Sequence, residues 1–293
     1  MAFPEEPIAV ADGSLILTAV RRGVRTQVTH DGKVAIIAET DGGPNGEVVG
    51  PDGAIYVTNN GGLTWLDRGD LNIPGPIPAD HVGSSIQRVE VKTGAVITLY
   101  KSRNGKPLIA PNEIVFDITG GMWFTDLGST TPDRSKFGAL YYAQTDDSGN
   151  VRGRGNLISP NGVGLSPDET VICMADTLLK RLWAFDIVVP VQLKRRERGA
   201  PGRDISNLQG YQKLDGLAVE AGGKVCVVTL VNGGVTVFEL EGSIEHFPFP
   251  DFAITDICFG GEDMRDARIT CSVTGTLYKC RWPRPGLKLN FNS

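Results

Sequence analysis

The sequence predicts an all-β protein, a six-bladed β-propeller formed by residues 1–293 as one domain, and three observations carry that prediction. A turn bearing Asp or Gly followed by an alternating β run recurs six times. The copies are ADGSLILTAV at 11, PDGAIYVTNN at 51, ITGGMWFTDL at 118, SPDETVICMAD at 166, EAGGKVCVVTL at 220 and GEDMRDARITCSV at 261. Each is followed by a second β run, such as SIQRVEVKTG, KRLWAFDI or GVTVFELEG, so each unit reads as an antiparallel hairpin. The copies lie roughly 40–65 residues apart, the blade length of a propeller. No window of about 12 residues combines a helical apolar stripe with caps. A two-sheet sandwich would not account for six similar hairpins.

Composition agrees. With 37 Gly and 18 Pro, turn formers are abundant enough to join many short strands. The chain is long enough to bury a core without disulfides or oligomerisation, and it carries no signal of oligomeric state. Its five Cys are odd in number and form no CxxC, and Cys173, Cys226 and Cys258 sit in apolar runs, so buried reduced thiols are expected. MAFPEEPIAVADGS lacks a basic region followed by an apolar stretch, so a cytoplasmic location is expected. The net charge of −5 argues against a nucleic-acid partner. No run approaches the roughly 18 apolar residues of a membrane span, so no membrane partner is expected. Two segments break the period. Residues 64–84, with three Pro and with Trp65, read as a long loop between the two β runs of one unit, a candidate lid. Residues 190–206, with Lys194, Arg195, Arg196 and Arg198, read as a solvated loop.

A second element recurs just ahead of the strand runs: GPNGEVVGPDG at 43, APNEIVFDITG at 110, SPNGVGLSPDE at 159, KLDGLAVEAGG at 213 and, in related form, FPEEPIAVADG at 3. Each sets one polar residue at the start of a strand: Glu5, Asn45, Asn112, Asn161 or Asp215. If these strands are the innermost of their blades, the side chains meet at one mouth of the central channel. Carboxylates and amides crowded on an axis repel and cost desolvation, and a divalent cation relieves both. Oxygen ligands without Cys or His select Ca²⁺, Mg²⁺ or Mn²⁺, with Zn²⁺ accommodated rather than selected. One P-N-G is only a turn signal; its repetition at matching positions carries the inference. His30 and His246 lie outside the element, and His81 lies in the 64–84 loop, from which it could reach the mouth. There is no G-x-S-x-G elbow, no G-x-G-x-x-G opening a helix and no Walker loop, which excludes the common triad and nucleotide-cofactor chemistries.

Taken as a group, GPNGEVVGPDGAIYVTNNGG, PNEIVFDITGGMWFTDLG, SPNGVGLSPDETVICMADT, LDGLAVEAGGKVCV and ITDICFGG resemble the SMP-30/gluconolactonase/luciferin-regenerating-enzyme family of six-bladed propellers. The resemblance runs from FPEEP at 3 to LYKCRWPRPG at 277. It implies one divalent metal ion, Ca²⁺ first, held by Glu5, Asn112, Asn161 and Asp215, and a hydrolase of small lactones or related esters. In that scheme Asp215 positions or deprotonates water, Asn112 also orients the substrate, Asn45 and Asn60 lie near the mouth, and Trp65 covers the ring. Three positions depart from the family pattern. E-G-P reads Glu5-Glu6-Pro7, P-N-D reads Pro111-Asn112-Glu113, and Asp256 stands in ITDICFG where Asn is frequent. Period-2 geometry lets only one of Glu5 and Glu6 face the channel, and Glu5 is assigned. Glu113 and Asp256 are expected at the substrate. The alternative function is a non-hydrolytic propeller, a condensing or isomerising enzyme or a small-molecule binder, using the same mouth.

Overall fold

Short strands need turns that cap themselves. Between the first two strands of one blade, Asp52 Oδ1 accepts the Ala54 N–H at 3.1 Å. Gly53 there takes φ 75°, a left-handed conformation that suits glycine. The same side-chain turn recurs at Asp12, which accepts from the Ser14 N–H at 2.8 Å, and at Asp117, which accepts from Thr119 and Gly121.

The computed structural model describes residues 1–79, 81, 83–130, 133–146, 148–189 and 191–292. Six antiparallel sheets form the blades of a propeller. Their innermost strands are Pro4–Ala9, Pro44–Val49, Pro111–Phe116, Pro160–Leu165, Leu214–Val219 and Ile254–Gly260. The recurring hairpins of the sequence are the second and third strands, for example Ile55–Asn59 with Ser85–Val89 in blade two. Blades one to five carry a further outer strand, and blade six has three strands among the described residues. Segment 190–206 is not simply a loop. Gln192–Leu193 and Arg203–Asn207 both pair with Arg181–Val189 on the outer edge of blade four, and Arg196 is tied to Asp186 at 2.6 Å. Position 190 lies outside the described residues.

The core is a series of apolar layers between neighbouring blades, from blades one and two round to blades five and six. Trp123, Leu140 and Tyr142 of blade three pack with Leu165, Met174 and Phe185 of blade four. All five cysteines are free, and Cys173, Cys226 and Cys271 are buried in such layers. The C-terminal segment crosses the face opposite the starts of the inner strands. Leu287 N–H donates to Val219 O at 2.8 Å, Asn290 Nδ2 donates to Phe116 O at 3.0 Å, and Phe291 meets Phe116 edge-on. The tail closes off a cavity of about 130 Å³ lined by Ile8, Phe116, Leu165, Leu217 and Phe259, with Glu6 and Glu47 also at its wall.

Every inner strand carries one irregularity at the same place. Pairing passes from Pro44↔Asn59 to Glu47↔Val57, so the inner strand holds one more residue than its partner. The same extra residue occurs between Glu5 and Ile8, Pro111 and Ile114, Pro160 and Val163, Leu214 and Leu217, and Ile254 and Asp256. These are β-bulges, which re-aim side chains and leave backbone groups unpaired. In blades one to three, buried threonines on the second strands meet those groups. Thr125 Oγ1 accepts the Glu113 N–H at 3.1 Å and donates to Asn161 O of the next blade at 2.7 Å. Thr58 does the same for Gly46 N–H and Asn112 O, and Thr18 donates to Asn45 O at 2.8 Å. One hydroxyl thus closes a bulge and staples two blades. Thr125→Val keeps the side-chain volume but strands two buried polar groups, each costing about 1–3 kcal/mol. Equilibrium urea unfolding should show that loss, whereas Thr98→Val, at an exposed position of the outer strand Val96–Tyr100, should change stability by less than about 0.5 kcal/mol.

Candidate functional site

The bulge lets two consecutive residues of each inner strand face the axis, one layer below the other. The upper tier is Glu5, Asn45, Asn112, Asn161, Asp215 and Thr255; the lower tier is Glu6, Gly46, Glu113, Gly162, Gly216 and Asp256. Of the first five, Asn161 and Asp215 are in direct contact and Glu5 lies near enough to Asp215 to feel its charge; Asn45 and Asn112 stand at the matching positions of their strands, and Thr255 is the counterpart in blade six. The expectation that only one of Glu5 and Glu6 faces inward does not hold. The extra residue breaks the two-residue alternation, and both carboxylates point to the channel.

Contacts bind the upper tier together. Asn161 Nδ2 donates to Asp215 Oδ1 at 2.6 Å and to Thr177 Oγ1 at 3.1 Å. Ser272 Oγ of blade six donates to Glu5 Oε1 at 2.9 Å. Asn161 Oδ1 is shut off from solvent and has no hydrogen-bond partner. Asn112 is buried and Asn45 partly buried. In the lower tier, ligand oxygens of Glu6, Glu113 and Asp256 all lie within 4.8 Å of one another. Glu113 and Asp256 are buried there, below the layer that opens on the mouth.

Burial and mutual repulsion hold these carboxyls far from ordinary behaviour. Burial pushes Asp215 up to about 8, helped by Asp256 and opposed by Asn161 and Lys213. Asp256 is pushed by burial up to about 7, against contacts from Glu6 and the Ile257 N–H. Glu5 is raised by burial and then by Asp215 and Asp256, while the Ser272 and Thr255 hydroxyls pull the other way. Glu6 and Glu113 are raised by burial first and by Asp256 next. Among the described residues none of the five forms an ion pair with Lys or Arg. Neighbouring Glu47 does have a cation, with Arg25 Nε at 2.5 Å, but burial outweighs that pull and its carboxyl too is raised.

Above the mouth, residues 64–84 are more than a loop. Trp65–Arg68 pairs with Leu71–Pro74 as a hairpin; positions 80 and 82 of the segment lie outside the described residues. Trp65 packs on Phe3 at 5.1 Å with the Arg21 guanidinium 5.7 Å from its ring, and Asn72 N–H donates to Val273 O at 2.8 Å. The hairpin therefore leaves blade two and rests on blades one and six, beside Glu5 and Ser272. Asn60 is committed to its own loop: its Oδ1 accepts from Gly62 N–H at 2.9 Å, and its carbonyl meets His81 Nε2 at 2.9 Å. Loops at this end of the blades also carry Leu66, Phe137, Leu178, Tyr211 and Phe252, each at least half exposed. The supporting hydroxyls of Thr255 and Ser272 had no signature in the sequence, because blade six lacks the P-N element.

Comparison with known proteins agrees with the fold. The chain belongs to the SMP-30/gluconolactonase/LRE-like family, whose model matches residues 3–273. A gluconolactonase of Zymomonas mobilis is 26% identical over 212 residues, covering 63% of this chain and 52% of that protein, so the chain spans about half the length of this relative. The structure of a gluconolactonase from Xanthomonas campestris has a TM-score of 0.74 at 21% identity, covering 96% of this chain and 86% of that one. Regucalcin of Agrobacterium tumefaciens, a calcium-binding protein, has a TM-score of 0.77 at 14% identity, covering 100% and 94% of the two chains. Both share the propeller fold with this chain.

A carboxyl whose folded-state pKa lies above its unfolded value takes up a proton on folding. Its favourable contribution is complete at low pH and is lost as pH rises through the folded value. With Asp256 at about 7 and Asp215 at about 8, chelator-treated protein should melt at progressively lower temperature as pH is raised from about 6 to 9. Asp256→Asn should flatten that slope and stabilise the chelated protein by about 1–3 kcal/mol at the alkaline end. Thermal unfolding across the pH series checks both; a slope of the opposite sign would refute the reading.

Proposed function

We propose that this SMP-30/gluconolactonase/LRE-like protein hydrolyses small lactones or related esters at the upper tier, with one divalent cation held by Glu5, Asn112, Asn161 and Asp215. One observation carries the reading: Asn161 Oδ1 is sealed from water, without a partner, on the layer where Asp215 and Glu5 repel one another. An oxygen acceptor left bare beside two carboxylates fits a hard cation and is otherwise costly. Ca²⁺ is the first candidate, ahead of Mg²⁺, Mn²⁺ and Zn²⁺. When bound, such an ion supplies Lewis acidity toward an ester carbonyl.

The chain's own groups divide the remaining work. Asp215 is partly open to the mouth, and Asn161 Nδ2 fixes its Oδ1, so its carboxylate is oriented to take a proton from an attacking water. Asn112 and Asn45, from the neighbouring blades, orient the oxygens of the substrate. Ser272 and Thr255 hold Glu5 in place. The Trp65 hairpin shields the reacting ester from bulk water. The exposed apolar side chains around the mouth favour lactones and esters with hydrophobic substituents over sugar lactones.

The test is turnover of a panel of alkyl γ- and δ-lactones, aryl esters and gluconolactone after chelation and re-addition of single metals. Chelation should abolish activity and Ca²⁺ or Mn²⁺ restore it. Asp215→Asn should lower kcat by about 10²–10⁴-fold. Trp65→Ala should raise KM for the apolar lactones more than it lowers kcat. Hydrolysis in ¹⁸O-water places solvent oxygen in the product; turnover without that label would instead assign a non-hydrolytic reaction to the mouth.

A further inference from the structure

We propose that the mouth end of the propeller docks on an anionic lipid surface, with Leu66, Phe137, Leu178, Tyr211 and Phe252 entering the lipid and neighbouring Lys and Arg side chains meeting its headgroups. The inference rests on the loops around the mouth and holds whether or not the mouth is a lactonase. The lack of a long apolar run, from which no membrane partner is expected, bears on spanning segments only; a peripheral contact needs none.

The apolar side comes first. Among the described residues three aromatic rings are exposed, Phe137 at 58%, Tyr211 at 72% and Phe252 at 57%, and all three lie on strand connections at the mouth end. Leu66 and Leu178, each at least half exposed, lie there too. Apolar side chains scattered singly over a surface are ordinary. Five gathered round one opening, with every exposed ring among them, give the surface a direction. They stand on five separate connections, from blade two round to the link between blades five and six. A fluid surface receives each of them separately, whereas a protein partner would need one packed face of about 800 Å².

Charge is the second observation and is independent of the first. The connections at this end are 20–23, 40–43, 60–84, 101–110, 127–137, 158–159, 177–180, 208–213, 230–233, 249–253 and 272–275. By sequence they carry ten Lys and Arg against six Asp, a net +4, in a chain of net −5, which leaves −9 for the rest. The cations sit beside the apolar tips. Arg68 follows Leu66 by two residues, Lys136 precedes Phe137, Lys180 follows Leu178 by two and Lys213 follows Tyr211 by two. Lys180 Nζ also ties two of these loops together, donating to Gly210 O at 2.6 Å. An apolar tip next to a cation suits the boundary of an anionic membrane, where the ring enters the acyl region and the cation stays among the headgroups. The acid beside Phe252 does not oppose this, since Asp251 is buried and accepts from the Ala253 N–H at 2.9 Å and the Thr274 hydroxyl at 2.7 Å. Under the proposed function, a docked mouth would take an apolar ester from the lipid without its crossing bulk water.

The experiment is co-sedimentation of the full-length chain with vesicles, read without any turnover. Vesicles of phosphatidylcholine with about one-third phosphatidylglycerol should carry the protein down, phosphatidylcholine alone should hold about 10-fold less, and high salt should release it. Tyr211→Ser combined with Phe252→Ser should lower the partition coefficient about 10-fold. Arg68→Gln and Lys136→Gln should each lower it about fivefold on the anionic vesicles. Ile118→Ser, at a position 68% exposed on the opposite face, should leave it unchanged. Thermal unfolding of each variant checks that these surface changes leave the fold intact. The proposal is overturned if the parent stays in the supernatant with anionic vesicles, or if Ile118→Ser weakens binding as much as the double variant. It is also overturned if light scattering shows a dimer that the double variant dissociates, which would assign this face to a second copy of the chain. An inactive protein that binds vesicles sinks the lactonase reading alone, and an active one that does not bind sinks this one alone.

Discussion

Six strands begin around one axis, and each must accommodate an extra residue there without orphaning its backbone. The rest of the molecule follows from how that is done. A regular inner strand would alternate its side chains and show the axis a single ring. The bulge shows it two, at the cost of unpaired N–H and C=O groups in a water-poor centre. In blades one to three the answer is a threonine hydroxyl that donates across to the next blade's inner strand, and in blades two and three the same hydroxyl also takes the bulge N–H. Blade six uses Thr255 against Thr270 instead, at 3.1 Å. Because the hydroxyl joins a bulge to the adjoining blade, the local irregularity and the global ring closure are one structural device. The apolar layers supply the bulk of the burial, while the hydroxyls fix the register in which functional side chains arrive.

That register concentrates charge. Glu5, Glu6, Glu113, Asp215 and Asp256 gather in a buried space where each raises the pKa of others. Glu47 shares a cavity wall with Glu6 and is treated differently, since Arg25 meets it directly. The fold therefore can neutralise a channel carboxylate with a side chain, and at five other positions it does not. A folded state that tolerates such repulsion gives up stability at its centre, as sites that serve binding or catalysis commonly do. The outer blades offset this with continuous apolar packing, and the C-terminal tail keeps water out from the opposite face.

Much of this was legible in the chain, for reasons that differ residue by residue. The blades were readable because turn chemistry repeats: an Asp or Gly turn before each second strand leaves the same mark six times. The upper tier was readable because Asn45, Asn112, Asn161 and Asp215 occupy one position of a recurring motif. Glu6 was not, because a bulge is a property of two paired strands and its extra residue has no one-strand signature. Ser272 was hidden for the same kind of reason: it supports Glu5 from 267 residues away, through ring closure alone. The outer strands, such as Val34–Glu39 and Asn150–Leu157, are mostly exposed, so no apolar alternation announces them. Segment 64–84 lacks alternation because its hairpin lies over neighbouring blades rather than within a sheet, and Trp65 finds its partner at Phe3, in another blade.

The three departures from the family pattern gain meaning only in the folded chain. Read along the sequence, Glu6, Glu113 and Asp256 are separate changes, a glycine replaced, one methylene gained and an amide exchanged for an acid. The bulges bring all three to one layer, within contact of each other and below the residues that face the mouth. Changes scattered through substrate-contacting positions would alter the shape of the opening. Changes gathered beneath it instead alter the charge on which the upper tier rests, because Asp256 raises both Glu5 and Asp215 from below. Under the proposed function, the chain keeps the four upper-tier residues that the family resemblance implies as ligands while changing the electrostatic floor under them. The apolar rim, carried on loops that no bulge constrains, is free to vary on its own. Shape at the rim and charge at the floor are set by different parts of the structure, which lets the specificity of the mouth change without disturbing the groups that hold it together.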